Sequence, residues 1–120
     1  FAPLATALTP AASQVNAVVK VVSCEPRLVR LGRERGRVVS EVVVGDETGV
    51  VTLRLHTAEH AALCAPGATL VLRRARVELF DGRLRLELGR WSRLATVRDG
   101  ARFTPEVSED LSAREFVTVA

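Results

Sequence analysis

Basic side chains that could neutralise phosphates are concentrated in one stretch of the chain. The segment from 26 to 37 holds five arginines against a single carboxylate, Glu34, so its local charge is +4. A guanidinium can donate two parallel hydrogen bonds to a phosphate, and each neutralised phosphate releases counterions. This stretch therefore predicts phosphate contacts through Arg33, Arg35 and Arg37, with a solvated loop or a basic targeting patch as the alternatives.

A second set of candidates alternates along predicted strands. A period of two places such residues on one face of a sheet, where an aromatic ring could stack on a base and guanidiniums could contact phosphates. The glutamates predicted to lie opposite three of the arginines leave ordinary cross-strand ion pairs as the alternative. Arg83 has no acidic partner in this scheme. The set comprises Arg54, His56, Arg76, Phe80, Arg83 and Arg85.

The segment His56-Thr57-Ala58-Glu59-His60 matches H-x-x-E-H, a zinc-binding pattern of metalloproteases. That chemistry requires both histidines on one face of a helix, whereas His56 is predicted to end a strand. The sequence contains no nucleophile elbow, P-loop, Rossmann glycine set or calcium loop. We expect no metal, no cofactor and no catalytic residue.

Charge and size restrict the class of protein. With 120 residues, of which 48% are hydrophobic, the chain can build one core. The net charge is +3, but residues 98–120 carry three arginines against five carboxylates, so the tail is −2 and the body is +5. A basic body favours a polyanionic partner. No apolar run approaches the roughly 18 to 20 residues that cross a bilayer, so we expect no membrane partner.

The dipeptide Asp81-Gly82 is the strongest local structural signal, because it favours the positive φ angles that a tight hairpin requires. This turn sets a register and thereby decides which side chains share a face. The predicted core side pairs Leu79 with Leu84, Val77 with Leu86 and Ala75 with Leu88. The predicted outer side pairs Phe80 with Arg83, Glu78 with Arg85 and Arg76 with Glu87.

The segment from Gly45 to Val50 predicts a second hairpin. Its core side pairs Val44 with Val51 and Val42 with Leu53, and its outer side pairs Glu41 with Arg54 and Val39 with His56. The Ala-rich segment from Ala58 to Cys64 predicts a short helix that plugs the barrel and ends at Pro66-Gly67. We expect Cys24 and Cys64 to be reduced, partly buried thiols.

The sequence predicts an all-β protein with five strands and a helix between the third and fourth. So many strands in a short chain favour a closed five-stranded barrel. We expect residues 1–97 to form the barrel with its N-terminal lead-in and residues 98–120 to form a C-terminal extension packed on it. The predicted strands are Val15 to Glu25, Arg37 to Asp46, Val50 to Thr57, Ala68 to Phe80 and Arg83 to Arg93.

The remaining segments carry fewer signals. We expect residues 1–14 to run extended under the barrel, and a helical start at Ser108 to Leu111 together with Phe116-Val117 to dock the tail. We expect Trp91 to pack at a barrel end, with an exposed position as the alternative. Because the chain begins with Phe1 and not Met, we expect a trimmed N-terminus, from which a targeting signal could be missing, and a nuclear or cytoplasmic location.

Several segments in order resemble the plant single-domain oligonucleotide-binding (OB) fold nucleic-acid-binding-like proteins. These proteins are more remotely similar to the single-strand-DNA-binding B subunit of the sensor-of-single-strand-DNA complex. The resemblance implies an OB-fold barrel, single-stranded DNA or RNA as ligand, and no enzymatic activity. It is carried by Phe1, Leu8 and Pro10, by GDETG at 45–49, by PGATLVLRRARVELFDGRLRL at 66–86, by Trp91, and in the tail by Phe103-Thr104, Leu111-Ser112 and Glu115 to Val119.

The resemblance also assigns roles to single positions. Phe80 falls where the single-strand-DNA-binding relatives keep a base-stacking aromatic, whereas His56, Arg76 and Glu87 replace aromatics of the animal subunit. We therefore expect sequence-tolerant binding of single-stranded DNA or RNA, without catalysis. The alternative is an adaptor subunit of a larger nucleic-acid-processing complex with weak or vestigial affinity for nucleic acid. Self-association through barrel edges is a third possibility. The sequence does not determine the oligomeric state.

Overall fold

Most of the chain is β-strand, because runs of Val, Leu and Thr that alternate with polar residues favour a pleated, half-buried backbone. The computed structural model describes residues 1–9, 12, 14–29, 37–80, 82–98, 100 and 103–113, and only the backbone of 27–29 and 37–38. In this part of the chain the elements are α1 (Leu4–Ala7), β1 (Val15–Val29), β2 (Arg37–Asp46), β3 (Gly49–Leu55), α2 (Ala58–Ala62), β4 (Thr69–Phe80), β5 (Arg83–Glu87), β6 (Arg93–Thr96) and a 3₁₀ turn at Leu111–Ala113.

The strands form one sheet in the order β1-β2-β3-β5-β4-β6, and β1 also pairs with β4, which closes the sheet into a ring. β3 and β5 pair in parallel, and the other neighbours are antiparallel. The all-β prediction is confirmed. The fifth predicted strand is divided, however, since a turn closed by a hydrogen bond from Ser92 N to Gly89 O separates β5 from β6.

Both predicted hairpin registers are confirmed. Phe80 pairs with Arg83 across a turn in which Gly82 has a φ of +75°, and Gly45 pairs with Val50. The predicted pair of Val39 and His56 is wrong, because the β2–β3 ladder ends at Ser40 with Leu55, and Val39 pairs with Arg27 of β1. His56 leaves the ladder because Thr57, the next residue, caps α2 by accepting a hydrogen bond from His60 N.

Alternate residues of the strands fill the interior of the ring. Leu79 was predicted to be among them, but it is 55% exposed. It lies near the tip of the β4–β5 hairpin, and β1 pairs with β4 no farther than Ala75, so the tip projects beyond the covered part of the ring. Leu88 packs against the core from beyond the end of β5. The most completely buried strand residues include Val19, Val42, Val44, Leu53, Leu55, Leu70, Leu72, Leu84 and Leu86.

A β-bulge in β4 changes which residues of that strand face the core. Val15 of β1 pairs with Ala75 and Ala17 with Leu72, so β4 holds one more residue than β1 over this interval. Arg74 in the bulge adopts a φ of +55°, and its N–H donates to Asn16 Oδ1 at 3.0 Å. The inward side chains therefore have even numbers before the bulge and odd numbers after it.

The N-terminal segment is partly helical and not wholly extended. Leu4 and Leu8, in and beside α1, are buried in the core. Asp46 holds α1 in place, because its Oδ2 accepts a hydrogen bond from Leu4 N at 2.8 Å while its Oδ1 accepts one from Thr48 N at 2.8 Å. The carboxylate thus joins the N-terminal helix to the β2–β3 turn.

Helix α2 does not plug the ring as predicted. None of its residues is buried, because its Ala-rich side chains are too short to reach the core. Cys64, just beyond it, is buried instead. None of the helices in the described ranges is long and apolar enough to span a bilayer.

The C-terminal segment docks on the β2–β3 hairpin, as expected for its described part, residues 103–113. Val50 N donates to Glu109 O at 2.9 Å, and Glu106 N donates to Asp46 O at 3.0 Å. Leu111 is 0% exposed. It packs so closely on Gly49 that a Cβ atom there would lie 2.7 Å from Leu111 Cγ. Phe116-Val117 and the tail stretch 115–119 lie outside the described residues.

The two cysteines are free, as expected, and differ in burial. Burial, together with the nearby Cys24 thiol, raises the pKa of the Cys64 thiol from 9.0 to about 11. We expect the Cys24→Ala variant, which retains Cys64, to react with a thiol reagent at pH 8 at least about 10-fold more slowly than the Cys64→Ala variant, because Cys64 is buried and burial raises its pKa. Equal rates in the folded variants would contradict this result.

The same shift makes stability depend on pH. The folded state holds the Cys64 proton more tightly than the unfolded state, so this contribution is complete below pH 9 and is lost as the pH rises towards about 11. The free energy of unfolding should therefore fall over this window, and the Cys64→Ala variant should lack that part of the fall.

Candidate nucleic-acid interface

An open pocket of about 240 Å³ lies on the outer side of the ring, over β3 and β5. Its polar lining consists mainly of guanidinium groups, since outward positions of both strands carry arginine. We refer to it as the arginine pocket. Its lining residues are Glu41, Thr52, Arg54, Phe80, Arg83, Leu84, Arg85 and Ser112.

Phe80 lies at the rim of the arginine pocket and is 60% exposed. The hairpin register aims it outward, as the Asp81-Gly82 signal predicted. The guanidinium carbon of Arg85 lies 4.4 Å from the centre of its ring, a cation–π contact that holds the two side chains together. The phenyl group is thus a supported platform with an accessible surface, which suits stacking on a flat aromatic ligand.

Two guanidinium nitrogens at this pocket lack hydrogen-bond acceptors. The Nε atoms of Arg54 and Arg85 are buried, and neither donates to any residue that the structure describes. Glu87 Oε1 lies 3.8 Å from Arg85 Nε, which is too long for a hydrogen bond. A buried charged donor without an acceptor costs on the order of 1 to 3 kcal/mol or more, so the site favours the arrival of an anionic oxygen.

The carboxylates near the pocket pair differently from the prediction. The registers place Glu78 opposite Arg85 and Arg76 opposite Glu87, as expected. The ion pairs instead join residues two apart on one strand, with Arg76–Glu78 at 3.7 Å and Arg85–Glu87 at 3.8 Å. Side chains two apart lie on the same face of a strand, so such contacts compete with those across the ladder.

Glu87 is also the partner of the His56 side chain. The Nε2 atom of His56 lies 3.2 Å from Glu87 Oε1, which engages the imidazole. No group of three or more potential metal ligands occurs among the residues that the structure describes. The H-x-x-E-H pattern therefore has no structural counterpart in the described part of the chain.

Arg83 has an acidic partner, contrary to the prediction. Its guanidinium donates to Asp110 Oδ2 at 2.7 Å, across an exposed part of the surface. Asp110 is 27 residues away in the sequence, so strand pairing alone could not reveal it. Ser112 fixes the tail beside the pocket, because its Oγ accepts a hydrogen bond from Thr52 N at 3.1 Å and its N–H donates to Asp110 Oδ1 at 3.0 Å.

The predicted site residues are only partly brought together. Arg54, Phe80, Arg83 and Arg85 line the arginine pocket. His56 does not line it, and Arg76 lines a separate pocket farther along β4. Arg33 and Arg35 lie outside the described residues, as does the side chain of Arg37, which begins β2.

Sequence reasoning missed three residues at or beside the arginine pocket. Thr52 and Ser112 line the arginine pocket, and Asp110 pairs with Arg83. Thr52 could have been found, because it shares the alternation of Arg54. Trp91 was expected to pack at a barrel end, which is wrong, since it is 65% exposed. The turn from Gly89 to Ser92 leaves the ladder and directs the indole outward.

A comparison with family models identifies residues 8–96 with "Single-stranded DNA binding protein Ssb-like, OB fold". The match covers most of the chain, including every strand that forms the ring. The chain belongs to this family. The OB fold expected from the order of strands and from the resemblance is therefore confirmed.

Two individual proteins are similar to this Ssb-like chain in sequence or structure. An uncharacterized protein of Arabidopsis thaliana is 32% identical over 111 residues, which cover 91% of this chain and 71% of that protein. The solution structure of a hypothetical Arabidopsis thaliana protein matches with a TM-score of 0.83 at 28% identity, over 100% of this chain and 88% of that one.

A replication protein A heterotrimer bound to single-stranded DNA shares the fold more distantly. Its TM-score is 0.69 at 14% identity, over 88% of this chain and 26% of that one. Identity at this level shows the fold alone.

Proposed function

We propose that this protein binds single-stranded DNA or RNA in the arginine pocket, with little preference for base sequence and without a catalytic step. The observation that carries the proposal is the pair of buried Nε donors on Arg54 and Arg85, which have no acceptor in the described part of the chain and lie beside the exposed ring of Phe80. A phosphate oxygen supplies the acceptor, and a base supplies the partner for the ring. Family membership supports the same class of ligand.

The pocket offers separate positions for the two parts of a nucleotide. The base stacks on Phe80, while the backbone phosphates contact Arg54, Arg83 and Arg85. Phosphate must displace Asp110 from Arg83, and an exposed ion pair of this kind contributes only about 0 to 1 kcal/mol. We expect binding to tolerate different base sequences, because stacking on Phe80 and contacts to phosphates do not depend on the identity of the base.

We expect Phe80→Ala to weaken binding of labelled oligo-dT by about 5- to 150-fold, which is the value of one stacked base. Leu79→Ala is the matched control, because Leu79 is the adjacent residue, is also exposed and faces the other side of the strand. Fluorescence anisotropy at constant salt, with oligo-dT and oligo-U, measures both variants. Equal losses in the two variants would show that the ring has no specific role.

Salt dependence tests the phosphate contacts separately. On a plot of the logarithm of the association constant against the logarithm of the salt concentration, each neutralised phosphate should contribute about −0.7 to the slope. Three arginines that each contact one phosphate therefore give a slope of about −2. Arg83→Gln should make that slope shallower by about 0.7. A wild-type affinity that does not change with salt would contradict phosphate binding.

An adaptor role is the alternative, and one observation favours it. Arg83, Arg85, Arg76 and His56 all have carboxylate neighbours, and one of these comes from the C-terminal segment. Such pairing suits a surface that contacts protein and has weak affinity for nucleic acid. Size-exclusion chromatography of the native extract distinguishes the two roles, since a free monomer argues against a permanent complex.

A further inference from the structure

A second pocket surrounds the exposed tryptophan, away from the arginine pocket. It has a volume of about 380 Å³ and lies where the turn between β5 and β6 meets the bulge of β4. We refer to it as the tryptophan pocket. No carboxylate is among its lining residues, which are Gln14, Arg74, Arg76, Gly89, Arg90, Trp91 and Ser92.

Hydrogen bonds hold the turn that carries Trp91. Ser92 Oγ accepts from Gly89 N at 2.8 Å and donates to the carbonyl oxygen of Arg74 at 2.5 Å. The backbone at Gly89 also rests on Arg76, since a Cβ atom there would lie 3.0 Å from Arg76 Nε. The indole is thus presented by a fixed turn, so a stacking partner would not need to order it first.

The exposure of Trp91 is unfavourable unless something covers it. It is 65% exposed, although indole is among the largest apolar surfaces a side chain can offer. The guanidinium carbon of Arg90 lies 5.3 Å from its ring centre and supports the ring without covering most of it. A flat nucleobase stacks well on such an indole.

The electrostatics of the pocket favour an anion. Arg74 and Arg90 form no ion pair with any residue in the described ranges, and Arg76 reaches Glu78 only at 3.7 Å. Three guanidiniums and an indole without a lining carboxylate match the chemistry of a base attached to phosphates.

The two pockets lie along one strand. Arg76, Glu78 and Phe80 occupy successive outward positions of β4, and four residues of strand span about 13 Å. A single strand that stacks on Phe80 and follows β4 towards the bulge would therefore reach the tryptophan pocket after a few nucleotides.

We propose that Trp91 is a second base-stacking position, with Arg74, Arg76 and Arg90 contacting the adjoining phosphates. It extends the ligand path beyond the arginine pocket to the turn between β5 and β6. The inference rests on the proposed function, because it requires a single strand already bound at Phe80. The binding surface then has two aromatic platforms, although it lacks aromatics at positions 56, 76 and 87.

The experiment uses the fact that Trp91 is the only tryptophan in the chain. Oligo-dT of about 2, 8 and 16 nucleotides is titrated while tryptophan emission and the anisotropy of a 5′ label are followed together. The shortest cannot span the roughly 13 Å between the two pockets, whereas the longer two fall within the range of site sizes of OB folds. We expect the longer oligomers to quench Trp91, and the shortest to bind at Phe80 with little change in emission.

Variants then test the contribution to affinity. Trp91→Ala should weaken binding of the longest oligomer by about 5- to 150-fold and leave the shortest unaffected, while Trp91→Phe should restore most of the loss. Val107→Ala, at another exposed apolar residue, is the control.

The outcomes separate this inference from the proposed function. Saturable anisotropy without any change in Trp91 emission, or equal effects of Trp91→Ala on long and short oligomers, would overturn the second stacking position while leaving binding at Phe80 intact. Absence of any anisotropy change with the wild-type protein would overturn both.

Discussion

Replacing Arg54 by Met is expected to weaken oligonucleotide binding by about 10- to 150-fold without lowering the stability of the free protein. A hydrogen bond to a charged group is worth about 1.5 to 3 kcal/mol, which sets the size of the loss. In the free protein, the buried Nε of Arg54 has no acceptor among the described residues, so an apolar chain of similar length removes a desolvation cost. The midpoint of urea unfolding should stay the same or rise.

The control for this substitution is Arg98→Met, which removes the same charge at an exposed residue outside the arginine pocket. It should weaken binding only slightly, through the net charge. Anisotropy titrations and urea unfolding of both variants provide the comparison. If Arg54→Met lost stability and kept its affinity, Arg54 would be a structural residue and the argument from its unpaired nitrogen would fail.

The largest loss of stability is expected for Leu111→Ala, at about 2 to 5 kcal/mol in the free energy of unfolding. Leu111 is completely buried and packs on Gly49, so its truncation leaves a cavity where the C-terminal segment joins the core. The loss should also loosen Asp110, the neighbouring residue, from Arg83.

Urea unfolding of Val107→Ala is the control, because Val107 belongs to the same segment and is 62% exposed. Its substitution should change the free energy of unfolding by no more than about 0.5 kcal/mol. Similar small effects of both substitutions would mean that the C-terminal segment does not contribute to the core. An unchanged slope with urea would show that both variants still unfold from a compact native state.

The hairpins could be predicted from the sequence because their signals are local. Asp81-Gly82 fixed the pairing of Phe80 with Arg83 and hence the outward direction of the ring. Leu79 was wrongly predicted to lie in the core. Alternation identifies the face of the sheet on which a residue lies, but it does not show how far along the strand other elements cover that face. The division of the last strand also escaped prediction, since the departure at Gly89 depends on a hydrogen bond between Ser92 and the distant Arg74.

The candidate site was predictable to the extent that it lies on paired strands. Arg54, Phe80, Arg83 and Arg85 meet in one pocket because register determines their positions. Asp110 and Ser112 could not be placed, since they reach the pocket from a segment with no strand pattern. The exposure of Trp91 was missed for a related reason. The general tendency of tryptophan to be buried does not show that the chain leaves the strand ladder in a turn at this position.

The extra residue at Arg74 decides which side chains of β4 face the solvent. If β4 kept its length but ran through Arg74 as a regular strand, simple alternation from Leu72 would exchange the two sides of everything that follows. Arg76, Glu78 and Phe80 would then point into the interior, while Ala75 and Val77 would turn outward. The bulge at one residue in the middle of a strand thus separates a chain that presents its cations to a ligand from one that must bury them.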